Sequence, residues 1–320
     1  MSGEEPAPLV FEPIPMERVW GGRRLETLYG KRLPPGVPIG EIWELVDREE
    51  AQSVIHRGPH QGKTLHELWT NHRKEIFGQA ALRHPAPRFP VLIKLLDARQ
   101  RLSLQVHPPM RLAAALRGEP KTEVWYFARC SPGARIYAGV RQGCDRARFE
   151  EMLATGTLER AVHELPTKTG DSFFIPSGRL HAIGEGNVIV EIQQNSDTTY
   201  RVYDWNRTGL DGKPRTLHIA ESLACIDFDD HEPAIAHPER GVLADCDFFR
   251  VEKIPVSAPL PLCRPGQFAM VTVLQGKLRV GQEVFPKGAF FLLPATPSPA
   301  VVSPEGREEA AILLTTLPNR

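Results

Sequence analysis

Four short stretches carry side chains able to do chemistry together. In Leu102-Ser103-Leu104-Gln105-Val106-His107-Pro108 apolar and polar residues alternate. A strand would put Leu102, Leu104 and Val106 on one face and Ser103, Gln105 and His107 on the other. A neutral imidazole and an amide oxygen two residues apart can share one metal ion, although a solvated surface strand has the same pattern. Lys121-Thr122-Glu123, just ahead of Val124-Trp125-Tyr126-Phe127, places a cation and an acid on one strand face, either as part of a site or as an ion pair blunting a sheet edge. In Phe173-Phe174-Ile175-Pro176-Ser177-Gly178-Arg179-Leu180-His181, an apolar strand and a turn are followed by a histidine opening the return. Such a histidine is ordinarily a surface residue and gains meaning only from its company. Finally, Glu191 ends one strand and Arg201 lies ten residues on, across the polar stretch Gln193-Gln194-Asn195-Ser196-Asp197; a hairpin there would bring acid and guanidinium together.

Strands must position these groups, because thirty prolines and 26 glycines break the chain into short apolar runs. Strands are expected at 89–96, 102–107, 122–128, 172–175, 187–192 and 198–203, forming a closed or sandwiched β-structure. Helices are few and peripheral, at 64–77 and 146–154. The polar stretch 228–239 reads as a linker between a catalytic unit, residues 1–228, and a smaller β-unit, residues 240–320. In the second unit Gly276 and Gly288 punctuate strands much as Gly170 does in the first, so the two are read as related. No histidine follows His237, which makes the second unit structural.

Bulk properties narrow the partners. Lys plus Arg equals Asp plus Glu, 39 of each, so no overall field favours nucleic acid or an anionic membrane, and any phosphate must be held by a local cluster. The start Met1-Ser2-Gly3-Glu4-Glu5-Pro6 is acidic and lacks the basic and apolar regions of a secretory signal, and no stretch approaches the ~20 apolar residues of a membrane span. Five scattered cysteines without a C-x-x-C pair argue against a disulfide framework and a structural zinc site. A cytoplasmic protein with reduced thiols is expected; its oligomeric state is open.

In order, Q-x-H (Gln105, His107), K-x-E (Lys121, Glu123), P-x-G-x-x-H (Pro176, Gly178, His181) and an acid followed by arginine (Glu191, Arg201) resemble the type I mannose-6-phosphate isomerases in their short bacterial form. Val19-Trp20-Gly21-Gly22, Ile39-Gly40-Glu41-Ile42-Trp43-Glu44 and Leu92-Ile93-Lys94-Leu95-Leu96-Asp97-Ala98 extend the resemblance over residues 13 to 225. It implies a mainly β cupin fold, a double-stranded β-helix or jelly roll, with a second, degenerate cupin-like unit. It also implies one zinc ion per chain on Gln105, His107, Glu123 and His181, with Arg201 as catalytic arginine, Glu191 as the proton-transfer acid and Lys121 in the polar wall. The sequence departs from the long eukaryotic forms at Thr122, where they have proline, and lacks their helical insertion.

This ligand set suits aldose-ketose isomerisation, in which negative charge builds on oxygen as an enediolate forms. Two histidines, one carboxylate and an amide leave zinc a net positive charge and a replaceable position, and Arg201 adds a second fixed charge. Glu191 is the expected base, with metal-activated water as its rival. Arg207, six residues past Arg201, is the first choice for the phosphate, and Ser103 is a candidate substrate contact. Two other functions compete: a cupin dioxygenase, since two histidines and a carboxylate also hold non-haem iron, and a non-catalytic sugar-phosphate-binding protein on the same fold. Gln105, Glu191 and Arg201 speak against the first, and the pair Glu191 and Arg201 against the second. Lys168-Thr169-Gly170 matches a penicillin-binding triplet but has no Ser-x-x-Lys partner and is set aside.

Overall fold

The structure, a computed structural model, describes residues 7–238 and 240–318. The acidic start Met1–Pro6 and linker residue Glu239 lie outside the described residues. Two antiparallel sheets face each other in the first part of the chain. The larger has the strand order Ser172–Ile175, Glu123–Cys130, Asn187–Gln194, Val91–Ala98, Ile39–Leu45, Ile14–Gly22; the smaller runs Tyr200–Tyr203, Leu104–Val106, His181–Ile183, Arg135–Val140, Val162–Pro166. Among the described residues the ladders stay separate, so the cupin layout is a sandwich and not a closed barrel.

The larger sheet is buried on both faces, which is why Val91–Ala98 is covered at every residue and reads as a nearly unbroken apolar run. Its inner face packs Leu96, Trp125, Phe127, Phe173 and Ile189 against Ile136, Ala138 and Ile183 of the smaller sheet. Its outer face, including Ile93, Leu95, Val124, Tyr126, Val190 and Ile192, packs into a second cluster with Leu65, Leu68, Trp69 and Phe77 of the helices. Those helices sit outside the sandwich, as expected, with their apolar sides buried in this cluster. The segment 64–77 is also two helices, Leu65–Asn71 and Arg73–Ala81, because His72 between them has φ −123 and ψ 22. Thr64 starts the first with a reciprocal capping box to Glu67. Helix Arg146–Ala154 covers the outside of the smaller sheet, burying Phe149 beside Leu104, Val106 and Val202. Leu102 departs from the expected alternation: it precedes the strand and joins the inner cluster. At the sheet's far side Gly21 and Gly40 permit close approach, since a Cβ on Gly21 would lie 2.3 Å from Gly40 N.

A second sandwich follows, with sheets Gly241–Asp245, Arg250–Val256, Ala310–Thr316, Ala269–Gln275, Phe290–Leu293 and Leu260–Leu262, Ala300–Pro304, Lys277–Val280, Glu283–Pro286. It has its own core, but Phe249, Phe268, Met270, Leu292 and Leu313 belong to the cluster on the outer face of the first sandwich's larger sheet. The stretch read as a polar linker is instead laid against the first sandwich. Asp230 accepts from Val140 N and pairs with Arg179, Ala236 bridges Ser172, and His237 meets Asp171. Its polar residues are there to pair, not only to be solvated.

Candidate metal centre and active site

Register alone assembles half of the site. Arg201 pairs directly with Gln105, and Gln105 with His181, on three adjacent strands of the smaller sheet. Directly opposed residues share a face, so amide, imidazole and guanidinium form one row. From the larger sheet, Glu123 and Trp125 share a face by their two-residue spacing, and Trp125, Glu191, Lys94 and Trp43 follow one another across the ladder. Glu191 and Arg201 thus stand on opposite sheets, and the expected hairpin between them is a crossover from one sheet to the other. Nor is Lys121–Glu123 an edge pair, because Glu123–Cys130 has a strand on each side.

His107, Glu123 and His181 are essentially inaccessible, and their donor atoms lie within 4.8 Å of one another. Each ring is oriented by the backbone: Nδ1 of His107 lies 2.8 Å from Thr198 O and Nδ1 of His181 lies 2.9 Å from Arg179 O. Carbonyls only accept, so Nδ1–H donates in both, which leaves the Nε2 lone pairs facing inward. His107 Nε2 and Glu123 Oε1 have no hydrogen-bond partner. Buried orphans of this kind are costly unless something electropositive satisfies them, and two imidazoles with one carboxylate fit a divalent metal. Gln105 Nε2 stands 3.3 Å from His181 Nε2, with Ser103 Oγ donating to Gln105 Oε1 at 3.1 Å; a half-turn of the amide would bring its oxygen into the same cluster. The turn that delivers His181 needs glycine, since Gly178 has φ +96 and its N–H donates to His107 O. His163, on the edge strand Val162–Pro166, lies outside the cluster.

Burial, and next the Lys121 charge, hold the His107 imidazole below its ordinary pKa. Burial and His107 push His181 down to about 3. Burial would raise Glu123, but Lys121, with Nζ 2.6 Å from Oε2, and the two histidines outweigh it and hold the carboxyl well below the usual range. Glu191 moves the other way: burial and the charge of Glu123 raise it despite Lys121 at 3.6 Å and Lys94 at 3.8 Å. Two acids in one cleft are thereby split in proton affinity, the arrangement expected of a ligand and a base. The Trp125 indole N–H donates to Glu191 Oε2 at 2.9 Å.

Arg201 Nη1 donates to Thr216 O, while its buried Nε has no partner. Burial and the neighbouring Arg215 lower its pKa. Arg207 donates to Asp204 and to Arg101 O, and Arg215 also pairs with Asp204. Arg207 and Arg215 thus share one carboxylate, and Arg201 feels all three charges, which makes a basic corner beside strand Tyr200–Tyr203. Arg215 and Asp204 were not anticipated, nor were Lys94 and Glu41. Lys94 Nζ is 3.7 Å from Glu41 and 3.6 Å from Asp197, and lies 4.9 Å over the Trp43 ring. A lysine inside Leu92-Ile93-Lys94-Leu95-Leu96 was the available signal, because a buried strand keeps a charge only where it is paired.

Over 300 residues the chain is 37% identical to mannose-6-phosphate isomerase ManA of Bacillus subtilis, covering 90% of this chain and 93% of that protein. The chain belongs to the type I phosphomannose isomerase family. Residues 11–128 match the profile of the phosphomannose isomerase type I catalytic domain. The mannose-6-phosphate isomerase of Streptococcus mutans is 36% identical over 302 residues, covering 90% of this chain and 93% of that one. Among solved structures, the mannose 6-phosphate isomerase from Bacillus subtilis superposes with a TM-score of 0.86 at 29% identity, covering 97% of this chain and 100% of that chain. Family membership favours isomerisation over the dioxygenase and the non-catalytic binding protein. The five cysteines are free, and no helix among the described residues is long and apolar enough to cross a membrane.

Proposed function

We propose that this phosphomannose isomerase family member interconverts D-mannose 6-phosphate and D-fructose 6-phosphate in the cytoplasm, using one zinc ion per chain held by Gln105, His107, Glu123 and His181. The observation that carries the reading is the buried pair of unsatisfied donor atoms, His107 Nε2 and Glu123 Oε1, converging with His181 between the sheets. Zinc supplies a Lewis acid for the reacting sugar oxygens when bound. Glu191 is the base that moves the proton between C2 and C1 of the open-chain sugar; burial and the neighbouring Glu123 raise its proton affinity, as suits a carboxylate that must take and return a proton, and the Trp125 indole orients it. Arg201 holds positive charge over the enediolate without giving up its proton. Lys121, 3.6 Å from Glu191, forms the polar wall and stabilises both carboxylates. Arg207, in the basic corner, and Ser103, one hydrogen bond from Gln105, are the phosphate and substrate contacts. Residues 1–228 form the catalytic unit, and 240–320 form a degenerate cupin-like unit without chemistry of its own.

A coupled assay of fructose 6-phosphate formed from mannose 6-phosphate, run with chelator and after zinc is restored, tests this reading. Activity should vanish and return; full activity in metal-free protein would end it.

A further inference from the structure

Away from the cleft, on the helical side of the larger sheet, two more imidazoles and a carboxylate converge. His60 lies in the tight loop after strand Ile55–Arg57, and His72 is the residue between helices Leu65–Asn71 and Arg73–Ala81. Glu75 is in the first turn of the second helix. The two oxygens of Glu75 divide between the rings, Oε1 at 3.3 Å from His60 Nε2 and Oε2 at 3.0 Å from His72 Nδ1. The ring centroids are 5.0 Å apart, and all three donor atoms fall within 4.8 Å. Ligands at zinc's bond lengths of about 2.0–2.2 Å stand roughly 3.3 Å from each other in a tetrahedron, close to the 3.3 Å and 3.0 Å that separate Glu75 from the two rings.

Backbone geometry holds this arrangement. His60 takes a left-handed conformation, φ +66, without being glycine, a state that persists where the surroundings favour it. Gly62 N and Lys63 N close the loop on Ile55 O and His60 O. His72 is pinned from both sides, its N–H donating to Leu68 O and its carbonyl accepting from Ile76. We propose that His60, His72 and Glu75 form a second divalent-metal site, selective for borderline first-row ions such as zinc, nickel or cobalt(II), with solvent completing the coordination. Bound metal clamps the 58–63 loop to the junction of the two helices, whose Trp69, Ile76 and Phe77 pack beneath the second sandwich.

Lys63 opposes this site and supplies its sharpest test. Its ammonium stands 2.8 Å from His72 Nε2 and so donates there, which keeps the ring proton on Nδ1 and aimed at Glu75. Metal at Nδ1 requires that proton to move to Nε2 and Lys63 to swing into solvent. Removing the ammonium therefore tightens binding.

Calorimetric titration of the full-length, metal-loaded protein with zinc chloride reads the site, with the thermal midpoint as a second readout. Wild type should take up one further equivalent and rise in midpoint. Glu75→Gln, at an exposed position, should weaken that uptake at least tenfold, and His60→Ala and His72→Ala should abolish it. Lys63→Met should strengthen it, all with isomerase activity unchanged. These residues lie outside the cleft, so the result is independent of what the cleft holds. No further equivalent at millimolar zinc, or uptake that survives both histidine changes, would overturn the proposal.

Discussion

Glu123 and Glu191 are both buried carboxylates near Lys121, yet their surroundings drive them in opposite directions, so their amide variants should fail differently. Glu123→Gln replaces a charged ligand with a neutral one and should lower metal affinity by tenfold or more, with activity partly recovered in excess zinc. Glu191→Gln should keep its metal and lose exchange of the substrate C2 hydrogen with solvent by about 10²–10⁴-fold; exchange near the wild-type rate would send the search for the base elsewhere. His181→Ala should shed most of the metal while His163→Ala keeps it, as read by metal analysis of the purified proteins. The histidines also imply a pH effect on stability once metal is removed. Both are depressed in the fold, His181 to about 3, so on acidification the unfolded chain protonates first. Their stabilising contribution is whole above the unfolded value of about 6.5 and is lost as pH falls below it toward the folded values; for His181, at about 3 in the fold, the loss runs at about 1.4 kcal/mol per pH unit. Urea unfolding of chelated protein at stepped pH measures this, and a flat profile between neutrality and pH 5 would contradict the buried neutral rings.

The turn Pro176-Ser177-Gly178 links strand Ser172–Ile175 of the larger sheet to His181–Ile183 of the smaller one, so it transmits geometry to the metal cluster. A side chain at Gly178 is strained by φ +96 and meets Cys225 O at 3.3 Å. Gly178→Ala should destabilise by more than about 1 kcal/mol and also weaken metal binding, because Gly178 N–H holds the carbonyl of His107. Gly170 has a similar φ, +99, in open space; Gly170→Ala should carry the strain without the metal defect. Equal metal affinity in the two variants would show that the turn is a connector and not a positioning device.

At the scale of the molecule, the larger sheet has one face for chemistry and one face for support. Phe268 of the second sandwich meets Phe77 edge-on at 5.1 Å and Phe89 at 6.0 Å, inside the cluster that backs the strands carrying Glu123, Glu191 and Lys94. Phe268→Ala should cost about 3–5 kcal/mol in denaturant unfolding, with a single transition for the whole chain. A cost below about 1 kcal/mol, or two separate transitions, would mean that the units merely abut.

Which side chains could share the candidate site was partly legible in the sequence because alternation along a strand decides which of them share a face. Ser103, Gln105 and His107 were separable from Leu104 and Val106 on that basis alone, and the order of ligand, acid and arginine carried the family resemblance. Alternation does not say what a face will meet. Gln105 and His181 are 76 residues apart, and only the sheet register sets them side by side. The same register puts Glu191 and Arg201 on opposite walls, brings Lys94 and Glu41 into the cleft, and turns two helices and a second sandwich into the backing of the larger sheet. Such pairings depend on contacts summed over the whole chain, so no local stretch contains them.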